Sequence, residues 1–131
     1  MKRLILAAVA VVLGFASAKA AEVSRIVVGF PPGQATDIVA RLIAERIGPI
    51  LGETFIVENR PGQGGSIALA QLAKTQADGR TLVLAPLASL VANPHLYKSV
   101  GYDTLKDFAP VTLVCDLPLL FVVNPELPVK N

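Results

Sequence analysis

The sequence has one cysteine, Cys115, and one histidine, His95, among 131 residues. A single cysteine closes no internal disulfide, so no disulfide framework braces this chain. Cys115 sits in an apolar stretch and is expected as a buried thiol. His95 follows Asn93-Pro94 in what reads as a loop, the usual place of a structural or solvated imidazole. No cluster of histidines and cysteines has zinc-ligand spacing. The G-x-S-x-G elbow of acyl-transfer enzymes is missing. The phosphate loop G-x-x-x-x-G-K-[ST] is missing too, and Gly62-Gln63-Gly64-Gly65 lacks the third glycine of a dinucleotide loop. Nothing in the local pattern supports a Cys115–His95 nucleophile pair. No enzymatic activity, metal or cofactor is therefore expected. Charged residues make up only 17% of the chain and apolar ones 53%, the balance of a globular and not a disordered protein. The length allows one domain or less. There is no internal repeat and no low-complexity tract.

Much of the apolar excess lies at the front. Met1-Lys2-Arg3 is a basic start, Leu4 to Phe15 is apolar apart from one glycine, and Ala16-Ser17-Ala18-Lys19-Ala20 alternates small residues. This is the three-part layout of a secretory signal peptide. A membrane-spanning helix needs about 20 apolar residues, more than this run supplies. No cysteine follows the run to carry a lipid, and no later segment is apolar for long enough to span. Cleavage is expected after Ala18 or Ala20, and the mature product in the periplasm. Export changes the charge argument. The whole chain has 12 basic and 10 acidic residues. Removing residues 1–18 takes away Lys2 and Arg3 and leaves 10 against 10; removing Lys19 as well gives a net −1. The mature chain thus has no general attraction for nucleic acid or an anionic membrane.

Beyond residue 20 the patterning is that of an α/β protein. Arg25 to Phe30 is a short β-branched, apolar strand, stopped by Pro31-Pro32-Gly33. Ala35 to Leu51 carries Ile38, Val39, Leu42, Ile43, Ile47, Ile50 and Leu51 at helical spacing, with Thr36 and Asp37 at the N-cap or first turn and Gly48-Pro49 and Gly52 at the end. Thr54 to Glu58 is a second strand, Ser66 to about Gln76 a second helix, and Thr81 to Ala85 a third strand. Two β-α-β crossovers in succession imply a parallel sheet covered by helices. A short helix is expected near Ser89 and is expected to end at Asn93-Pro94. Tyr102 to Asp107 reads as a surface loop. Phe108 to Val114 and Leu119 to Val123 read as two further strands, and Asn124-Pro125 and Leu127-Pro128 as breaks.

In an open parallel sheet, ligands bind beyond the C-terminal ends of the strands. Three loops are expected to meet there: Phe30 to Asp37, Asn59 to Ser66, and Pro86 to Ser89. Each leads into a helix, where unpaired N–H groups and the helix dipole favour an anion. Glycine lets backbone approach a ligand closely, and Thr36, Ser66 and Ser89 offer hydroxyls. Taken singly, each loop reads as an ordinary strand-to-helix turn with a capping hydroxyl; together they point to a site. Asp37 would repel an anion at close range, so its own chemistry favours a first-turn or capping role. Arg60 is either a carboxylate partner or a loop arginine in a salt bridge.

Four stretches carry a resemblance: Val28 to Asp37 (VGFPPGQATD), Val57 to Gly65 (VENRPGQGG), Ala92 to Tyr97 (ANPHLY), and Tyr102-Asp103 with Lys106 to Val111. In these the sequence resembles the Bug family of extracytoplasmic solute receptors, the binding proteins of tripartite tricarboxylate transporters. The resemblance runs through essentially all of the chain after the signal peptide. It implies a periplasmic-binding-protein type II fold, in which two α/β domains close on a ligand, and a small organic carboxylate as that ligand. It also implies a monomer that works with membrane permease subunits. Carried over by position, the implied ligand-binding residues are Phe30, Gly33, Ala35, Thr36 and Asp37 in the first loop, Gly64, Gly65 and Ser66 in the second, and Ser89 in the third. Gln34 departs from the Gly-Gly that is common in the first loop. Members of the family are more than twice this long.

The organisation expected on this basis is a signal peptide at 1–20, a first α/β ligand-binding domain at 21–107, and crossover strands into a second domain at 108–131. With the second domain cut short, the cleft would have one wall and bind weakly. Other readings are a ligand-sensing or interaction module and a truncated, inactive fragment.

Overall fold

The computed structural model describes residues 23–116, 118, 120 and 122–127. The signal peptide expected at 1–20 lies outside the described residues. Three strands form one parallel sheet in the order β2-β1-β3. The elements are β1 (Val23–Val28), α1 (Ala35–Leu51), β2 (Thr54–Asn59), a 3₁₀ turn (Gln63–Gly65), α2 (Ser66–Leu72), β3 (Thr81–Leu84), α3 (Leu87–Val91) and α4 (Asn93–Leu96). This is the helix-flanked parallel sheet that the crossover pattern predicts.

β1 is the central strand, and its sequence shows why. Ile26, Val27 and Val28 are all buried, so the strand reads as a continuous apolar run and not as an alternation. It pairs with β2 from Val23↔Thr54 to Val28↔Asn59 and with β3 from Arg25↔Thr81 to Val28↔Leu84. On one face Ile26 and Val28 meet Ala40 of α1, with Phe30, Ile43, Ala44, Phe55, Val57 and Leu84 closing around them. The pleat turns Val27 to the other face. Ala68 and Leu69 of α2 are fully buried.

α1 occupies the predicted residues. Pro49 lies inside its last turn, and the helix closes on Gly52, whose left-handed backbone (φ 67°) lets its N–H reach the Gly48 carbonyl.

Five expectations are corrected. Asn93-Pro94 does not end a helix: α3 stops at Val91 and Asn93 opens α4, with Pro94 in its first turn. That position suits proline, because the N–H it lacks would have no partner there. His95 is therefore helical, not in a loop, and it is exposed. Cys115 is exposed, not buried. Phe108 to Val114 forms no strand. A strand exists by pairing its backbone with a neighbour, and none of the three described strands runs beside this segment. Val111 and Leu113 stand largely in solvent. Leu120, Val122 and Val123 form no strand either; Leu119 and Phe121 of that run lie outside the described residues.

Candidate functional site

Loops one and two do converge at the C-terminal edge of the sheet. Gly29 ends the central strand so close to the second loop that a Cβ on it would lie 2.6 Å from the Cα of Gly65. A Cβ on Gly65 would in turn lie 2.9 Å from Ser89 Oγ and 3.2 Å from the Phe30 ring. The backbones of the two loops touch because both contact positions are glycine.

The first loop is fixed by a charged network. Asp37, in the first turn of α1, is buried. Its Oδ2 accepts the Gly33 N–H at 2.8 Å and Arg41 Nε at 3.0 Å. Its Oδ1 accepts Asn59 Nδ2 at 2.9 Å and faces Arg41 at 3.0 Å. Asn59 Nδ2 also donates to the Phe30 carbonyl at 3.0 Å, so both ends of the loop are tied down. The hydrogen bond from the Arg41 guanidinium, then those from Gly33 and Asn59, hold the Asp37 carboxyl well below the usual carboxylate range. Its charge is thereby matched inside the loop, which removes much of the repulsion an anionic ligand would feel. The helix behind it is seventeen residues long, and Gln34 at its N-cap makes no side-chain hydrogen bond. The first internal bond runs from the Ile38 N–H to the Gln34 carbonyl. The first-turn N–H groups of Ala35, Thr36 and Asp37 are thus not capped by a side chain, and the positive end of the dipole lies at the sheet edge.

The second loop is fixed by a neutral network. Gln63, Gly64 and Gly65 have φ of 48°, 60° and 89°, a left-handed run that favours glycine and costs energy at Gln63. Ser89 Oγ donates to the Gly64 carbonyl at 2.7 Å. Asn93 Nδ2 lies 2.9 Å from that carbonyl, 2.9 Å from Ser66 Oγ and 3.4 Å from the Gln63 carbonyl. Ser66, Ser89 and Asn93 are all buried. A strap behind them completes the support: the Tyr102 hydroxyl donates to the Ser89 carbonyl, and Thr104 Oγ1 to the Leu90 carbonyl at 2.6 Å.

The structure therefore gathers Phe30, Gly33, Ala35, Thr36, Asp37, Gly64, Gly65, Ser66 and Ser89 in one region, in different roles. Gly33, Gly64 and Ala35 are exposed, and Thr36 and Phe30 are half-buried. Asp37, Gly65, Ser66 and Ser89 are buried beneath them. Arg60 takes the salt-bridge alternative, at 2.7 Å from Glu58 with a further bond to Gln71 at 2.8 Å. Among the described residues no group of three or more His, Cys, Asp or Glu residues is placed to hold a metal, and no helix is long and apolar enough to cross a membrane. Sequence reasoning missed Arg41, Asn59 and Asn93 as parts of the site. The asparagines left a faint signal, since both lie within the stretches that carry the family resemblance.

Comparison with known proteins identifies the family. Residues 39–131 match the model of the tripartite tricarboxylate transporter family receptor. Protein BugT of Bordetella pertussis is 42% identical over 104 residues, which cover 79% of this chain and 32% of that protein. The chain thus spans about a third of the length of the curated relatives it matches. Among solved structures, the periplasmic binding protein BugD is 40% identical with a TM-score of 0.62, over 68% of this chain and 29% of that one. MatC from Rhodopseudomonas palustris with bound malate is 37% identical with a TM-score of 0.65, over 69% of this chain and 31% of that one. The fold is accordingly that of the front part of a periplasmic binding protein, and the relatives are receptors of transport systems, not enzymes. The chain belongs to the tripartite tricarboxylate transporter receptor family, the Bug proteins that its loop motifs resemble.

Proposed function

We propose that this chain contributes one wall of a periplasmic receptor site for a small organic carboxylate, delivered to the permease subunits of a tripartite transporter. Its ligand-binding part is residues 21–107, after removal of a signal peptide ending at Ala18 or Ala20. The carrying observation is the first loop, in which an uncapped seventeen-residue helix starts at the sheet edge while the nearby Asp37 charge is neutralised by Arg41. A carboxylate placed there would accept hydrogen bonds from the amides of Ala35, Thr36 and Asp37, with the Thr36 hydroxyl and the exposed Gly64 backbone beside them. The Gly33 N–H is already given to Asp37, so Gly33 serves by its φ of 84° and by opening space rather than by donating. The bound malate of MatC supports a dicarboxylate of that size as the first ligand to try.

Titrating malate into the ¹⁵N-labelled chain tests this. Amide shifts confined to residues 30–37 and 63–66, with weak, millimolar-range saturation, are expected of one wall acting alone (about −4 kcal/mol). Shifts scattered over the surface, or none at high malate, would sink the reading. Mass spectrometry of the periplasmic product checks export: a chain starting at Lys19 or Ala21 is expected, and an uncleaved chain would count against it.

A further inference from the structure

We propose that Asn93 is a positioning residue for the second loop: its side-chain amide, with Ser89, clamps the backbone of Gln63 and Gly64 so that the loop presents its peptide N–H to the ligand edge. The statement rests on the carboxylate reading above for its functional part, and on geometry alone for the clamp. Asn93 is 7% exposed and lies about thirty residues from its targets in sequence, yet its Nδ2 meets three acceptors of that loop. An amide nitrogen has two hydrogens, so it satisfies two acceptors fully and shares the third. Gly64 O is held from two sides, by Ser89 Oγ at 2.7 Å and Asn93 Nδ2 at 2.9 Å. The consequence follows from peptide geometry. Among the described residues no peptide bond is cis. In a trans peptide the C=O and the following N–H point in opposite directions. With the Gln63 carbonyl turned toward Asn93, the Gly64 N–H is turned away from it. The Gly65 N–H closes the turn on the Gly62 carbonyl at 3.0 Å, and the Ser66 N–H closes it on the Gln63 carbonyl. The clamp also opposes the left-handed strain at Gln63, which would otherwise relax by flipping this peptide.

Asn59 gives the same service to the first loop, where it holds the Phe30 carbonyl. Asn59 ends β2 and Asn93 opens α4, so each loop is held by an asparagine that follows it in the chain.

Amide hydrogen exchange and malate titration on the full chain, with Asn93→Ala, Asn93→Asp and Ser89→Ala, test the proposal. Asn93→Asp keeps the size and loses both N–H donors. Exchange at Gly65 and Ser66 is expected to rise by about tenfold in Asn93→Ala and Asn93→Asp, and about threefold in Ser89→Ala, where one donor to Gly64 remains. Exchange at Val27 in the central strand should stay within about twofold, because the opening is local. A merely structural Asn93 would move Val27 in step with the loop, and that result would overturn the proposal. So would unchanged loop exchange in Ser89→Ala, the variant least prone to misfold. Malate shifts at Gly64 and Gly65 are expected to need several-fold more malate in the Asn93 variants. If the parent shows no malate shifts while its variants show the faster loop exchange, the clamp stands and only the carboxylate reading falls.

Discussion

The two loops that build the candidate site are held in place by different physics. The first is pinned by a charge pair: Asp37 is nearly sealed, but the Arg41 side chain that matches it is 54% exposed. The second is pinned by neutral donors, Ser89 and Asn93, with both side chains buried. Charged hydrogen bonds are strong but answer to pH and salt. Neutral buried ones are insensitive to both, and losing a partner leaves an orphaned carbonyl. The comparison teaches that the loop nearest the proposed anion is the one with an adjustable electrostatic environment, whereas the loop beside it is a rigid brace.

The largest expected effect comes from breaking the contact that joins the loops. Gly29→Ala would drive a methyl group to 2.6 Å from the Gly65 backbone, where no flexible side chain can yield. Destabilisation of about 2–3 kcal/mol is expected, read by urea unfolding; a loss under about 0.5 kcal/mol would show that the loops separate freely.

Next comes Asp37→Asn, which should separate the loops by sensitivity. It is expected to speed exchange of the Gly33 amide and leave Gly65 unaffected. The acid response follows from the lowered carboxyl. A carboxylate whose pKa is depressed by folding stabilises the fold above its unfolded value, about 3.9, and loses that contribution as pH falls below it toward the folded value. The parent should therefore weaken on acidification below about pH 4, and the Asn variant should show a shallower acid slope. Equal slopes would mean that Asp37 is not held as described. The smallest effect is expected for Arg60→Ala. Its half-exposed pair with Glu58 should be worth less than about 1 kcal/mol, and less again at high salt.

Much of the fold could be read directly from residue patterns. The limits of α1 at Ala35 and Leu51 follow from apolar spacing between Pro31-Pro32-Gly33 and Gly52, because local signals mark both of its ends. The three parallel strands follow from β-branched runs separated by helical stretches. α2 ends at Leu72, short of the expected Gln76, where the Thr75 hydroxyl turns back to bond the Gln71 carbonyl. Phe108 to Val114 has strand composition but forms no strand, since apolar β-branched composition says that a segment can pair but not that a partner is adjacent. The same limit explains Cys115, whose apolar neighbours Leu113 and Val114 are exposed themselves.

For the site, the glycine-rich loops were legible and their supports were not. Gly64 and Gly65 stand out because only glycine tolerates such close approach or such a backbone, whereas Gly29 reads as part of the first strand. Asn59 and Asn93 look like turn residues by local rules, and Asp37 like a first-turn acid. The sequence by itself determined the order of the first three strands, the helices between them and the loops at one sheet edge, all of which rest on short-range patterning. Only the tertiary structure decided which polar groups of the loops stay exposed and which face inward. Gly64, for example, meets Asn93 across 29 residues, and the number of partners a hydrogen-bonding side chain finds depends on what the fold brings beside it, not on its neighbours in the chain.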